Sequence, residues 1–437
     1  MNSVDSRLLS LGVRVPDIMV PKEGTDLSKW AVVACDQYTS QPEYWQSAAS
    51  YVGDSPSTLK LIYPECYLEE PEPQKRIDEI NRTMDSYVDS GLFRTYEHSF
   101  FLVRRSCAHR KDRWGLIVAL DLERYSWEKD SRSLIRATEG TILSRIPPRK
   151  AIRKDAVLEL PHIMVLINDR KGAVIEALAE KTEALEQVYD TPLMAGGGQI
   201  TAWAVSSEDD IRGVADALQD LYDALNPDNR LLFAMGDGNH SFATAKSCWE
   251  DIRQNLSEEQ RQSHPARFCL VELENIFSPG LEFEPIHRVL FNTRTADVVY
   301  ELSKECSAYT MTACDDLEGV LSGLAPDPER QTIGLCDENG FCLLELEKPK
   351  SSLAAGSMQA VIDRMTSGGR VKVDYIHGTD VTSRLGQKPG NVGVFLPDVS
   401  KDTFFDSIVR DGALPRKTFS MGEAQEKRYY MEARRIR

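Results

Sequence analysis

The chain has 437 residues, of which 41% are hydrophobic and 27% charged, the balance of a globular protein with a large core and two or three domains. Its 68 acidic residues outnumber 52 basic ones and give a net charge of −16. That excludes a generic nucleic-acid binder, whose affinity comes from basic side chains displacing counterions, while a nucleotide can still be held by one local cationic pocket with magnesium.

In chain order, residues 30–35 read as a short apolar strand and Pro42 opens a helix through Tyr51. Residues 74–92 have helical spacing, with Ile77, Ile80, Met84 and Tyr87 on one stripe. Residues 99–105 and 114–122 read as a strand pair joined by the basic turn 108–112, which contains His109. Residues 163–167 form a buried strand. Residues 172–188 and 209–225 read as helices with a strand, 200–205, between them; Gly196-Gly-Gly198 is a flexible loop before that strand, since no lysine follows at P-loop spacing. A strand at 231–235, a polar turn at 236–240 and a helix from near Ser241 follow, then a strand at 267–276. Residues 332–336 and 341–347 read as a hairpin. The turn-rich stretch 324–330 marks a boundary, giving a main region, 1–325, and a C-terminal α/β region, 326–437, expected to pack on the same site. The fold class is mixed α/β, of the α+β kind.

Nine cysteines, an odd number without a C-x-x-C pair, give neither a zinc ribbon nor a thioredoxin motif. Together with Asp5 and Arg7 interrupting any apolar N-terminal stretch, they fit reduced thiols and a cytoplasmic location. The longest apolar runs, such as residues 114–120, are too short to span a bilayer, so no membrane partner is expected.

The chemistry concentrates in Gly236-Asp237-Gly238-Asn239-His240-Ser241. A glycine turn that opens a helix leaves backbone N–H groups at the positive end of the dipole, which suits phosphate. Gly236 and Gly238 allow close backbone approach, and His240 can donate to a phosphate oxygen. Asp237 can hold magnesium, whose ligands are oxygens; the bland alternative is a side-chain bond closing its own turn. Glu139, in Ala137-Thr-Glu-Gly140, is a candidate general base for a substrate hydroxyl, or a capping or salt-bridging residue beside Arg136 and Arg145. Asp36, at the end of an apolar stretch, is the rival base or metal ligand. P-loop, Rossmann, zinc-protease, protein-kinase and hydrolase-elbow motifs are all missing.

Asp237-Gly-Asn-His-Ser241, followed by Ala243 and Ala245-Lys246, resembles the Asp-Gly-His-His-Arg loop of the ParB/sulfiredoxin-like superfamily. Within it the chain is most similar to the family called domain of unknown function 1015. The likeness spans further blocks at 30–45, 136–141 (Arg136-Ala-Thr-Glu-Gly-Thr141), 145–149, 160–169, 284–288 (Glu284-Pro-Ile-His-Arg288), 375–378 and 414–419 (Leu414-Pro-Arg-Lys-Thr-Phe419). The resemblance implies a nucleotide-binding core with additional α/β elements and a phosphotransfer like that of free serine kinases. It implies ADP or ATP with Mg2+, serine or phosphoserine as the small-molecule partner, and Arg288 and Lys417 as charge-neutralising ligands. One departure stands out: Asn239 and Ser241 replace the superfamily's first His and its Arg. The lost Arg removes a bidentate phosphate contact, so a nearby Arg or Lys must substitute or phosphate binding is weaker.

The leading reading is therefore a serine kinase-like phosphotransferase. Its alternatives are a phosphoserine phosphatase on the same scaffold, a non-enzymatic nucleotide-binding switch, and Cys–His chemistry at Cys35.

Overall fold

Runs of β-branched and aromatic residues set the main sheet, as their propensity requires. In the computed structural model, which describes residues 3–108 and 110–437, this sheet has ten strands. His109, in the basic turn after residue 107, lies outside the described residues. The chain divides into two compact units, residues 1–281 with 422–437, and residues 282–421.

The sheet of the first unit comprises β1 (Val13–Arg14), β2 (Phe100–Ser106), β3 (Arg113–Asp121), β4 (Tyr125–Ser126), β5 (Ile135–Arg136), β6 (Met164–Ile167), β7 (Glu186–Pro192), β8 (Gln199–Val205), β9 (Phe233–Asp237) and β10 (Phe268–Asn275). Their spatial order is β7-β8-β2-β3-β10-β6-β9-β5-β4, with β1 beside β3. The sheet is mixed: β9 runs antiparallel to β6 and parallel to β5. Successive side chains point to opposite faces, and both faces are covered. Val271 and Leu273 enter one core while Leu270 enters the other, and Leu116 and Val118 oppose Ile117 in the same way.

Helices α1 (Pro42–Val52), α2 (Pro73–Asp89), α3 (Ile146–Arg153), α4 (Glu208–Asp223) and α5 (Asn239–Arg253) belong to this unit. The expected stripe of α2 is buried at Ile77, Ile80 and Met84. Two expectations fail. Residues 30–35 are not a sheet strand: a helical turn, Leu27–Trp30, precedes an extended stretch with one isolated bridge, Val33 to Tyr429. Its partner is the irregular C-terminal segment, so no longer ladder forms. Residues 172–188 are not one helix. After a helical turn, Glu176–Ala179, and a 3-10 turn, Thr182–Ala184, the chain enters β7, because pairing with β8 outweighs local helix preference. The glycine loop before β8 is firmly packed: a Cβ on Gly197 would meet the Tyr429 hydroxyl at 2.4 Å.

The second unit holds β11 (His287–Phe291), β12 (Ala308–Cys314), β13 (Arg330–Asp337), β14 (Gly340–Glu347), β15 (Lys372–Ile376) and β16 (Asn391–Phe395). They are ordered β12-β14-β13-β16-β11-β15, with the expected hairpin as β13–β14. Helices α6 (Thr295–Leu302), α7 (Leu317–Gly323) and α8 (Ala354–Thr366) pack on it. Among the described residues no helix is long and apolar enough to cross a membrane.

Candidate functional site

Strand β9 ends on Asp237 and α5 begins at Asn239, so Gly238 alone makes the turn. Its φ of +77 is left-handed, and a Cβ there would stand 3.0 Å from Ile163 Cγ1. Both conditions call for glycine. As the N-cap of α5, Gly238 brings no side-chain acceptor, whereas Ser207 caps α4 by accepting from the Asp210 N–H. The cap position thus contributes no side-chain acceptor to the first-turn N–H groups of α5, which lie at the positive end of its dipole.

The turn's side chains are fixed from several directions. Gly238 N donates to Asp237 Oδ1 at 2.8 Å, and Lys427 Nζ lies 3.2 Å from Asp237 Oδ2. Burial by itself raises the Asp237 carboxyl, but the Lys427 ammonium and the Gly238 N–H outweigh it and hold the group below its ordinary value. Thr138 N donates to Asn239 Oδ1 at 3.2 Å, and the Thr138 hydroxyl donates to Met235 O at 2.6 Å. Ile142 N donates to His240 Nε2 at 3.2 Å, so a neutral His240 ring carries its proton on Nδ1. Ser241 Oγ and His162 Nε2 are 2.8 Å apart. The parallel pairing of β5 with β9 sets up these contacts, and they fasten the 138–142 loop, with Glu139, to the first two residues of α5.

Asp36 reaches this region through the C-terminal segment. Ala34 N donates to Arg428 O at 2.9 Å and Cys35 N to the Tyr430 hydroxyl at 3.2 Å. Tyr430 N donates in turn to Val32 O at 2.9 Å, so the segment that carries Lys427 runs antiparallel beside the one that ends at Asp36. Glu65 N donates to Cys35 O, and the Glu65 carboxylate receives the Arg149 guanidinium on both oxygens, at 2.7 and 2.5 Å. Burial raises the Glu65 carboxyl against the pull of Arg149, and the His162 charge acts on both Glu65 and Asp237. Burial, then the Asp36 and Glu65 charges, push the Cys35 thiol up. A raised thiol disfavours the thiolate that Cys35 would need to act as a nucleophile.

The first unit thus brings together the 237–241 turn, the 138–142 loop, and the Asp36 and Lys427 ends of two paired segments. The sequence reading singled out the turn, Glu139 and Asp36. It missed Lys427, His162 and Glu65. His162 stands in the recognised Leu160-Pro-His block, but Lys427 has no local signal. Arg136 is taken up structurally, donating to the carbonyls of Ser133 and Arg230 at 2.8 Å each. Arg288 and Lys417 lie in the second unit. There the wholly buried Arg288 donates to Ile286 O and, at 2.9 Å, to Lys417 O, and it lies over the Tyr375 ring. Among the described residues no group of three or more His, Cys, Asp or Glu could hold a metal ion.

Fold and turn together describe a mixed α/β protein with an uncapped helix start beside an ion-paired carboxylate. Residues 19–366 match the family described as protein of unknown function, DUF1015, and the chain belongs to that family. No curated protein matches it. Similar solved structures include a free serine kinase in complex with AMP, at 10% identity and a TM-score of 0.37 over 72% of this chain and 90% of that one. A conserved hypothetical protein from Pyrococcus furiosus is similar at 9% and 0.34 over 72% and 90%. SbnI with a C-terminal truncation from Staphylococcus aureus is similar at 9% and 0.35 over 70% and 82%.

Proposed function

We propose that the protein is a nucleotide-dependent small-molecule phosphotransferase that interconverts free serine and phosphoserine on a ParB/sulfiredoxin-like core. The observation that carries this reading is the turn itself. A left-handed glycine opens an uncapped helix, with a carboxylate and an ammonium 3.2 Å apart at its mouth. The N–H groups of Asn239, His240 and Ser241 would receive phosphate oxygens. His240 Nδ1 would donate to the same group. Lys427 answers the missing Arg at position 241: it supplies a cation where the sequence motif lost one, as a point charge rather than a bidentate fork.

The residues suit a magnesium ion delivered with the nucleotide, because this ion binds through one or two carboxylates plus phosphates rather than a protein cage. Asp237 would hold it, and Asp36 is the second carboxylate. Bound there, the ion would offset phosphate charge. In the forward direction the serine hydroxyl oxygen forms a bond to the terminal phosphorus, the bond from that phosphorus to the bridging oxygen breaks, and the hydroxyl proton passes to Glu139 or Asp36. Positioning and charge do most of the work.

Calorimetric titration with ADP and ATP, with and without magnesium, tests the reading. Binding that strengthens with magnesium in the wild type and loses that gain in Asp237→Asn is expected. No nucleotide binding under any condition would overturn it.

A further inference from the structure

Strand β12 forms one edge of the second unit's sheet and, among the described residues, pairs only with β14. An edge presents unpaired N–H and C=O groups, and native proteins blunt such rows with charge, proline, bulges or brevity. The other sheet ends use these devices. β7 carries Glu186, Asp190 and Pro192, with a break in register between Gln187 and Tyr189. β4 has two residues, and β15 carries Lys372 and Asp374. β12 has none of them. Its sequence, Ala-Tyr-Thr-Met-Thr-Ala-Cys, is uncharged and lacks proline, and its register with β14 is unbroken from Ala308↔Glu347 to Cys314↔Phe341.

The side chains sharpen the contrast. Tyr309 and Met311 stand on the same face as Leu346 and Leu344, which are wholly buried. Yet Tyr309 is 45% and Met311 55% exposed. The apolar face of the sheet continues onto β12 after its helical cover has ended.

We propose that a second copy of this chain covers the edge, β12 against β12, antiparallel about a two-fold axis at Met311. The sequence immediately about that residue, Thr310-Met-Thr312, is symmetric. The pairing sets Thr310 opposite Thr312 of the second copy, Tyr309 opposite Ala313, Ala308 opposite Cys314, and Met311 opposite itself. Thr–Thr pairs are favourable across strands, and no like charges meet. Electrostatics favour this strip too. Each chain carries −16, so an uncharged edge is where two copies approach with least repulsion. The contact is isologous, as a two-fold interface requires, and two six-stranded sheets become one continuous sheet. An edge of seven residues is smaller than the roughly 1,200–2,000 Å² of a standard interface, so the dimer is a concentration-dependent one.

Light-scattering mass of the full chain across a dilution series tests this. The wild type should rise from 49.1 kDa towards twice that value with concentration. Met311→Lys and Met311→Glu should each stay at the single-chain mass, because a residue on the axis meets its own charge. An equal mixture of the two should restore the dimer. Thermal midpoints should match the wild type, since the side chain is exposed. A wild type that remains a single chain at its highest soluble concentration overturns the proposal. So does a dimer that survives Met311→Lys, and a mixture that fails to associate overturns the placement of the axis.

Discussion

Gly238→Ala probes the turn on which the candidate site is built. At φ +77 an L-residue bears a left-handed strain of about 1–2 kcal/mol. The added Cβ would also lie 3.0 Å from Ile163 Cγ1 and 3.1 Å from Ile163 Cα. Ile163 has little room to yield: it is 4% exposed, belongs to the core, and its carbonyl accepts from Glu272 N at 3.0 Å. Crowding of this kind adds about 1–3 kcal/mol, for a total of about 2–5 kcal/mol. All six tryptophans, at 30, 45, 114, 127, 203 and 249, fall in the first unit, so their fluorescence reads that unit during urea unfolding. The midpoint should drop by about 0.7–2.5 M for a slope of roughly 2–3 kcal/mol per molar. Nucleotide affinity should drop in the same variant under conditions where it is folded, because the helix start must move. A midpoint within about 0.2 M of the wild type would refute the reasoning, showing that the turn accepts a side chain at no cost.

Lys427→Met removes the ammonium while keeping the stem. Loss of a charge-assisted phosphate contact should weaken nucleotide binding about tenfold to a hundredfold, read by calorimetry; an unchanged affinity would remove Lys427 from the site. Cys35→Ser should leave turnover and nucleotide binding unchanged, and iodoacetamide should not inactivate the wild type through Cys35, because its thiol is pushed up. In the second unit, His287 is 3% exposed and its Nδ1 accepts from Leu396 N at 3.3 Å. Burial, with the Arg288 and His377 charges, pushes it down from 6.5 to about 4. The unfolded ring binds a proton below 6.5 and the folded ring only below about 4. Stability of this unit is therefore complete above pH 6.5 and declines by up to about 3 kcal/mol as pH falls through that window. Hydrogen exchange of the β11 and β16 amides should show this decline, and His287→Gln should flatten it.

Local features of the fold were legible where one element decided them. The stripe of Ile77, Ile80 and Met84 defines α2 without outside help, and Gly238 announces a turn because few other residues tolerate it. Residues 172–188 misled because helix-forming residues there yield to pairing between β7 and β8, a contact set by the sheet rather than by the segment. Residues 30–35 misled because their apolar run pairs with the chain's last residues through a single bridge. The site was half legible for the same reason. Asp237, Asn239 and His240 are neighbours in the chain and share one turn. Lys427 and Glu65 reach it only through the packing of 428–430 against 32–35 and the bond from Glu65 N to Cys35 O. No spacing rule in the sequence records such contacts.

The central claim is transfer of a phosphoryl group, and phosphorus NMR reads it directly. The full chain with magnesium would be incubated with phosphoserine plus ADP and, separately, with serine plus ATP or ADP, each beside a mixture lacking nucleotide. The account predicts exchange of phosphoryl signal between nucleotide and serine, dependent on both and lost in Glu139→Gln or Asp36→Asn. Phosphate released from phosphoserine without nucleotide, or no change in any mixture, would contradict it.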